Sequence, residues 1–173
     1  MTSQESQEPA LADLDEVIRG FLSRNKYLHE FRLQKLVYLA ELLAVQEQEE
    51  RLTDADYKPY MYGAYSEDVA DTLSDMKPDA ATKATTHHGK LVTAFVEPDK
   101  NPELDGTVEE ILDRVHERVK DTRIPNDDFG EWSKESWLYK NTPFDHRMNF
   151  LRYRDEASDA LGQDLSRFDL EED

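Results

Sequence analysis

Apolar residues recur at intervals of three and four along much of the chain, which is the spacing of one face of an α-helix. This pattern predicts helices over about 10–24, 30–48 and 104–120, with shorter helices over about 127–137 and 145–161. The segment 30–48 carries two apolar stripes rather than one. We therefore expect it to be buried on two sides at the centre of the fold.

The stretch from Tyr57 to Tyr65 follows a different pattern, because it is dense in aromatic residues and contains Pro59 and Gly63. Proline and glycine restrict regular structure, so this stretch is predicted to be a short extended segment with a turn. Ser66 is a typical N-cap residue, and a helix is predicted from there to about Met76.

Two β-prone runs, 82–86 and 91–96, flank the polar residues His87-His88-Gly89-Lys90 and predict a β-hairpin. The fold class is therefore mainly α, of the α+β kind, with a single helical domain and one small β-hairpin. The helix–hairpin–helix order leaves a winged-helix-like arrangement open.

The domain organisation follows from the ends of these patterns. No Gly/Ser linker or internal repeat divides the chain, so we expect one domain over residues 10–164. Residues 1–9 are expected to form a disordered lead-in, and residues 165–173 an acidic tail.

The charge of the chain limits the environments and the classes of partner that suit it. Its 173 residues include 39 Asp and Glu against 21 Lys and Arg, which gives a net charge of −18. Such a chain repels nucleic-acid backbones and anionic membranes, so its charge disfavours both as partners. Molar salt screens charges within about 3 Å, and the acidity favours a halophile's cytoplasmic protein. The segment 1–9 is too polar for a signal peptide, and no run of 18 apolar residues could span a membrane.

The residue types that carry catalysis or bind metals form no recognisable pattern. The chain has no cysteine, and it contains none of the common zinc-protease, phosphate-loop, dinucleotide or serine-nucleophile motifs. The pairs Asp54/Asp56, Asp127/Asp128 and His87/His88 are interpreted as solvated polar residues. No catalytic residue, cofactor or metal site is predicted, although an enzyme with a dispersed site remains a third hypothesis.

A DNA-binding role would need cations on the recognition helix of a winged-helix arrangement. The helix after Ser66 instead carries Glu67, Asp68, Asp71 and Asp75, which would repel phosphate. A winged-helix-like transcriptional regulator binding DNA is therefore the alternative hypothesis rather than the leading one.

Two motifs and a closing segment go beyond composition. They are Phe31-Arg32-Leu33-Gln34-Lys35-Leu36-Val37-Tyr38-Leu39-Ala40, Tyr60-Met61-Tyr62-Gly63-Ala64-Tyr65-Ser66 and Ser136-Trp137-Leu138-Tyr139-Lys140-Asn141-Thr142-Pro143-Phe144. Over about 11–153 the chain resembles the Panacea domain family of SocA-like antitoxins and phage-associated proteins, and it is similar to the related YwgA-type proteins. Phe31-Arg32 replaces the usual opening lysine, and Ala64 stands where the family has proline.

The resemblance implies a non-enzymatic protein-binding module, which neutralises a toxin by direct binding or delivers the toxin to a protease. The toxin could be encoded by a neighbouring gene. The residues assigned to partner binding on this basis are Lys35, Tyr38, Tyr60, Tyr62, Gly63, Tyr65 and Ser66. Among them, Tyr60 and Tyr62 share one face of an extended chain, so at least one should anchor the segment on the helix 30–48. Tyr65 lies beyond the turn and is the better candidate for a partner contact.

Overall fold

A computed structural model provides the fold of the protein. It describes residues 10–25, 28–61, 63–76, 81–87, 90–119, 133–134 and 136–156, and the statements below refer to these residues. The helices are α1 (Leu14–Arg24), α2 (Glu30–Gln48), α3 (Glu67–Met76), α4 (Gly106–Val119), α5 (Trp137–Lys140) and α6 (Phe150–Glu156). The strands are β1 (Leu28–His29), β2 (Lys58–Tyr60), β3 (Gly63–Tyr65), β4 (Ala81–His87) and β5 (Lys90–Glu97).

Helix α2 lies at the centre of the fold, as its two apolar stripes predict. Every residue from Leu33 to Val45 is buried, and the helix contacts α1, α3, α4, α6, β1 and β3. Its predicted limits coincide with those in the structure. The helix ends where Glu49 adopts a left-handed conformation and donates its backbone N–H to Val45 O. The core of the protein is therefore built around this one helix.

The strands form two small antiparallel sheets. Strands β4 and β5 form the predicted hairpin, and β1 adds a third strand by pairing Leu28 with Phe95. The aromatic stretch forms a second hairpin, in which Tyr60 of β2 is paired with Gly63 of β3. The mainly helical α+β class is confirmed, with this second hairpin as an addition to the single one predicted.

Helix α1 begins about four residues later than the apolar spacing predicts. The residues before it pair with the chain that follows α2, because Leu11 N donates to Arg51 O at 3.0 Å and Ala12 N donates to Leu52 O at 2.9 Å. These long-range hydrogen bonds hold the segment out of the helix. Leu11 still packs against the core, so the pattern indicates its burial correctly and its secondary structure wrongly.

Helix α6 also begins later than predicted, at Phe150 rather than near Asp145. Asp145 has a positive φ of 68°, and Met148 N donates to Tyr57 O at 2.7 Å. The Asn149 side chain accepts from the backbone N–H groups of Leu151 and Arg152, at 3.0 and 3.1 Å, which makes it the helix cap. The early part of the predicted helix is therefore tied to β2 and its neighbours instead.

Helices α3 and α4 lie where the sequence predicts them. Ser66 Oγ accepts from Val69 N at 3.2 Å at the start of α3, and Asp105 caps α4 in the same way through Val108 N at 3.0 Å. Most of the helix predicted over 127–137 falls outside the described residues, as do the lead-in 1–9, the tail 165–173 and His88. No described helix is both long enough and apolar enough to cross a membrane.

Candidate partner-binding surface

The first of the two sequence motifs is joined to the second through Gln34 and Ser66. The Gln34 side-chain amide donates to Ser66 O and accepts from Ser66 N, and both distances are 2.9 Å. Both residues are buried. Gln34 gives the buried Ser66 N–H its acceptor and adds a second donor to Ser66 O, which also accepts from Ala70 N at 3.2 Å. The pair thereby fixes the start of α3 against α2.

Lys35 makes the next connection, from α2 to the centre of strand β3. Its ammonium donates to Ala64 O at 2.9 Å and lies 4.7 Å from the centre of the Phe31 ring. The side chain is 2% exposed. Burial lowers the pKa of Lys35 to about 8, and the charge of Lys134 adds to that lowering, whereas Glu30 opposes it. The Lys35 amine therefore links α2 to β3 at the cost of burying its charge.

Tyr38 connects α2 to the segment before α5. Its hydroxyl lies 2.7 Å from Ser136 Oγ, which donates its own proton to Ser133 O at 2.7 Å. Because Ser136 has a single proton to give, Tyr38 is the donor in its own bond with Ser136. Ser133 Oγ in turn accepts from Ala64 N at 3.1 Å. The chain of hydrogen bonds thus joins α2, β3 and the α5 segment.

Lys35, Tyr38 and Ser66 are thereby placed in the interior, with all three side chains engaged in these internal bonds. Gly63 is also buried, and its φ of 114° is one that side chains rarely adopt. Tyr62 lies outside the described residues. Of the seven residues assigned to partner binding, the two side chains that the structure places partly at the surface are Tyr60 and Tyr65.

Those two tyrosines form the centre of a surface that we call the aromatic patch, which comprises Tyr60, Met61, Tyr65 and Phe144. The rings of Tyr60 and Tyr65 meet edge to face, with their centres 5.2 Å apart. The ring of Phe144 is perpendicular to that of Tyr60, with a centre-to-centre distance of 6.3 Å. Phe144 is 60% exposed and Met61 is 64% exposed, which makes them the large apolar side chains most open to water among the described residues. The rings of Tyr65 and Phe144 both adjoin that of Tyr60, Met61 follows Tyr60 in the chain, and adjoining exposed apolar groups are candidates for an interaction surface.

Hydrogen bonds from the interior hold the hairpin backbone that carries the two tyrosines of the patch. Tyr139 Oη donates to Tyr60 O at 2.5 Å, and the Gln34, Lys35 and Ser133 bonds hold β3 and its end. The backbone that carries Tyr60 and Tyr65 is therefore fixed without a partner, which lowers the entropic cost of binding through these residues.

A concave surface next to the patch, which we call the groove, is lined by Asp56, Lys58, Tyr60, Tyr65, Glu67 and Asp68. Its acidic side chains are exposed, and Asp68 Oδ2 accepts from Asp56 N at 2.8 Å. Partial burial raises the pKa of the Tyr65 hydroxyl, and the charges of Glu30 and Glu67 raise it further. The groove thus combines aromatic walls with a negative potential.

The loop that leads to the groove is shaped by Glu41, a residue that the sequence analysis did not single out. This carboxylate is fully buried and accepts from Arg51 Nε, Leu52 N, Thr53 N and Thr53 Oγ1, at 3.1, 3.1, 3.2 and 2.5 Å. A buried charge is tolerable only with such a full set of donors. In the sequence, the feature that could have identified Glu41 is its position as an acidic residue within an apolar helical stripe.

Among the described residues, no group of three or more His, Asp or Glu side chains is placed to hold a metal ion. A second cleft contains Arg19, which donates to Asp99 at 2.8 Å and also contacts Asp15 and Glu16. The hydrogen bond from Arg19 lowers the pKa of Asp99. This cluster is an internal ion-pair network.

Comparisons with known proteins agree with the motif geometry. The family described as antitoxin SocA-like, Panacea domain, matches residues 33–137, a segment that contains the second motif, the first motif from Leu33 onward, and both serines of the Tyr38 connection. Comparisons with curated proteins and with solved structures gave no significant match. Because the match spans more than half of the chain, the protein belongs to the SocA-like antitoxin family with a Panacea domain.

Proposed function

We propose that the protein neutralises a toxin by binding it directly, through a surface centred on the aromatic patch. The observation that carries the proposal is the contrast within the second motif. Gly63, Ala64 and Ser66 are buried and fix the hairpin, whereas Tyr60 and Tyr65 reach the surface beside two highly exposed apolar side chains. A rigid support beneath exposed rings is the arrangement expected of an interface hot spot.

The proposed role is non-enzymatic and cytoplasmic. Family membership supports an antitoxin-like role, and the polar motif side chains Gln34, Lys35 and Tyr38 are occupied by internal hydrogen bonds. Groups held in this way support a scaffold, whereas a catalytic site would need some of them to face a substrate.

The test is co-expression with the small reading frame next to the gene. We expect that frame to arrest growth when expressed alone and growth to recover with the wild-type protein. Tyr65→Ala and Phe144→Ala should weaken toxin binding by at least about tenfold, or about 1.4 kcal/mol. Absence of any complex between the wild-type protein and the toxin would contradict the proposal.

Folding must be measured beside binding. Tyr65→Ala should leave the free energy of unfolding within roughly 1 kcal/mol of wild type, because its ring is only partly buried. Tyr57→Ala is the comparison variant, since Tyr57 is fully buried against Tyr38 and Phe150 and should cost about 3–5 kcal/mol. If both variants lower the free energy of unfolding equally, Tyr65 serves to pack the hairpin on the core and the proposed surface is wrong.

Occlusion and proteolytic delivery predict different toxin levels. Under occlusion the toxin accumulates in an inactive complex. Under delivery its half-life falls when the protein is present and recovers when the host protease is removed. Following the toxin by immunoblot after translation is stopped separates the two mechanisms.

A further inference from the structure

We infer that the groove beside the aromatic patch receives an arginine side chain from a basic segment of the partner. This inference rests on the proposed function and adds the chemistry of the contact. It is carried by the coincidence of two aromatic rings and several carboxylates around one concave surface.

The aromatic walls favour a flat cation. Tyr60 and Tyr65 meet edge to face at 5.2 Å, so the two ring planes are nearly perpendicular and form a corner. A guanidinium group can stack on one ring while its N–H groups point towards the other wall of the groove. An ammonium group gains the charge attraction but not the stacking.

The carboxylates provide the complementary charge. Asp56, Glu67 and Asp68 line the groove against one lysine, Lys58, whose ammonium lies 4.0 Å from a carboxylate oxygen of Asp145. Arg147 reaches Asp56 at 3.5 Å from an exposed position, so it is a cation that an incoming group would have to displace. The excess of acid over base selects a cationic occupant and disfavours an anionic one.

The raised pKa of the Tyr65 hydroxyl is consistent with this charge pattern, since Glu30 and Glu67 both contribute to it after burial. The phenol stays protonated at neutral pH and keeps its hydrogen-bond donor.

Binding of N-acetyl hexa-arginine amide tests the inference, with N-acetyl hexa-citrulline amide as an uncharged probe of nearly the same shape. The double variant Glu67→Gln/Asp68→Asn removes two groove charges and keeps the oxygen acceptors. The charge control is Asp75→Asn, which removes an exposed charge from the same helix at the second cleft. All are measured by calorimetry at about 0.1 M salt, where screening acts over about 10 Å.

We expect the double variant to weaken hexa-arginine binding by about fivefold to tenfold, against less than about twofold for Asp75→Asn. Tyr65→Phe should bind as wild type does, and Tyr65→Leu should bind several times more weakly because it keeps an apolar side chain without a ring. The double variant removes two charges and the control removes one. A fold loss in the double variant no larger than the square of the fold loss in Asp75→Asn would therefore show only the field of the whole acidic surface, and would overturn the inference. Equal affinity for hexa-citrulline would also overturn it.

The same variants separate this inference from the proposed function. If the wild-type protein binds the toxin and the double variant binds it equally well, the groove is not the contact and neutralisation stands. If the wild-type protein binds no toxin while hexa-arginine still prefers the groove, the proposed function fails and the cation site stands. A dimer in sedimentation that the double variant dissociates would assign the groove to a second copy of this chain and overturn the inference.

Discussion

The side-chain amide of Gln34 hydrogen-bonds both backbone groups of Ser66, 32 positions further along the chain, at 2.9 Å each. One side chain thus replaces the partner strand that the end of β3 would otherwise need. It also sets the direction in which α3 leaves the hairpin, and so the position of Glu67 and Asp68 at the groove.

Gln34→Met should destabilise the protein by about 1–3 kcal/mol, because it keeps the length of the side chain, leaves the buried Ser66 N–H unsatisfied and removes one of the two hydrogen bonds to Ser66 O. Gln46→Met on the same helix is the control. Gln46 Oε1 has no hydrogen-bond partner among the described residues, so its loss should cost less than about 1 kcal/mol. Denaturant melts of both variants measure the difference, and similar midpoints would show that the Ser66 bonds contribute little.

Lys35 should give the stability a distinctive dependence on pH. Its pKa is lowered from 10.5 to about 8, so the unfolded chain binds more protons than the folded one between those values. The free energy of unfolding should therefore rise with pH across that window, by up to an amount on the order of 3 kcal/mol. Lys35→Met should lack this rise. Melts from about pH 7.5 to 9.5 stay below the ordinary tyrosine pKa, and parallel curves for the two proteins would contradict the prediction.

Gly63→Ala should destabilise the hairpin by about 1–3 kcal/mol, because a side chain is strained at a φ of 114°. Gly106→Ala is the matched control at the start of α4, where an added Cβ would meet no atom within 4 Å. That variant should lie within about 1 kcal/mol of wild type. Thermal melts compare the two, and an unchanged midpoint for Gly63→Ala would show that the turn relaxes without cost.

Salt should stabilise the protein if its acidity is a halophilic adaptation, as we propose. With 39 acidic against 21 basic residues, self-repulsion is strong in dilute buffer and is screened in molar KCl. The melting temperature should rise substantially between the two conditions. A melting temperature that stays constant or falls with added KCl would contradict the halophilic adaptation.

Duplex DNA should not bind at physiological or higher salt. Glu67, Asp68, Asp71 and Asp75 of α3 are all exposed, and they would face phosphate if this helix entered a groove of DNA. Gel-shift and footprinting assays on the sequence upstream of the gene test this. A specific footprint would favour the regulator hypothesis over toxin binding.

The sequence predicts α2 at its observed limits, Glu30–Gln48, because burial on both sides leaves a pattern in the chain itself. It misplaces the start of α6 because the cause, the bond from Met148 N to Tyr57 O, joins positions about 90 residues apart. In the candidate site, too, local patterns are predictable from the sequence and long-range contacts are not. The second motif identifies Tyr60 and Tyr65, but a lysine in an apolar helix does not reveal that Ala64 O will bind its amine. Phe144 enters the patch through a contact that no local spacing indicates.

Two groups of core residues lie outside the family-matched segment 33–137, and they bear on how the domain can be transplanted. Val17, Ile18 and Phe21 of α1 precede the segment, and Phe150 of α6 follows it and packs on Tyr38 and Tyr57. A fusion that carried only the matched segment would bare the face of α2 on which these side chains rest. Grafting this domain onto another protein therefore requires helices α1 and α6 as well as the matched segment, so that the graft brings the side chains that cover α2.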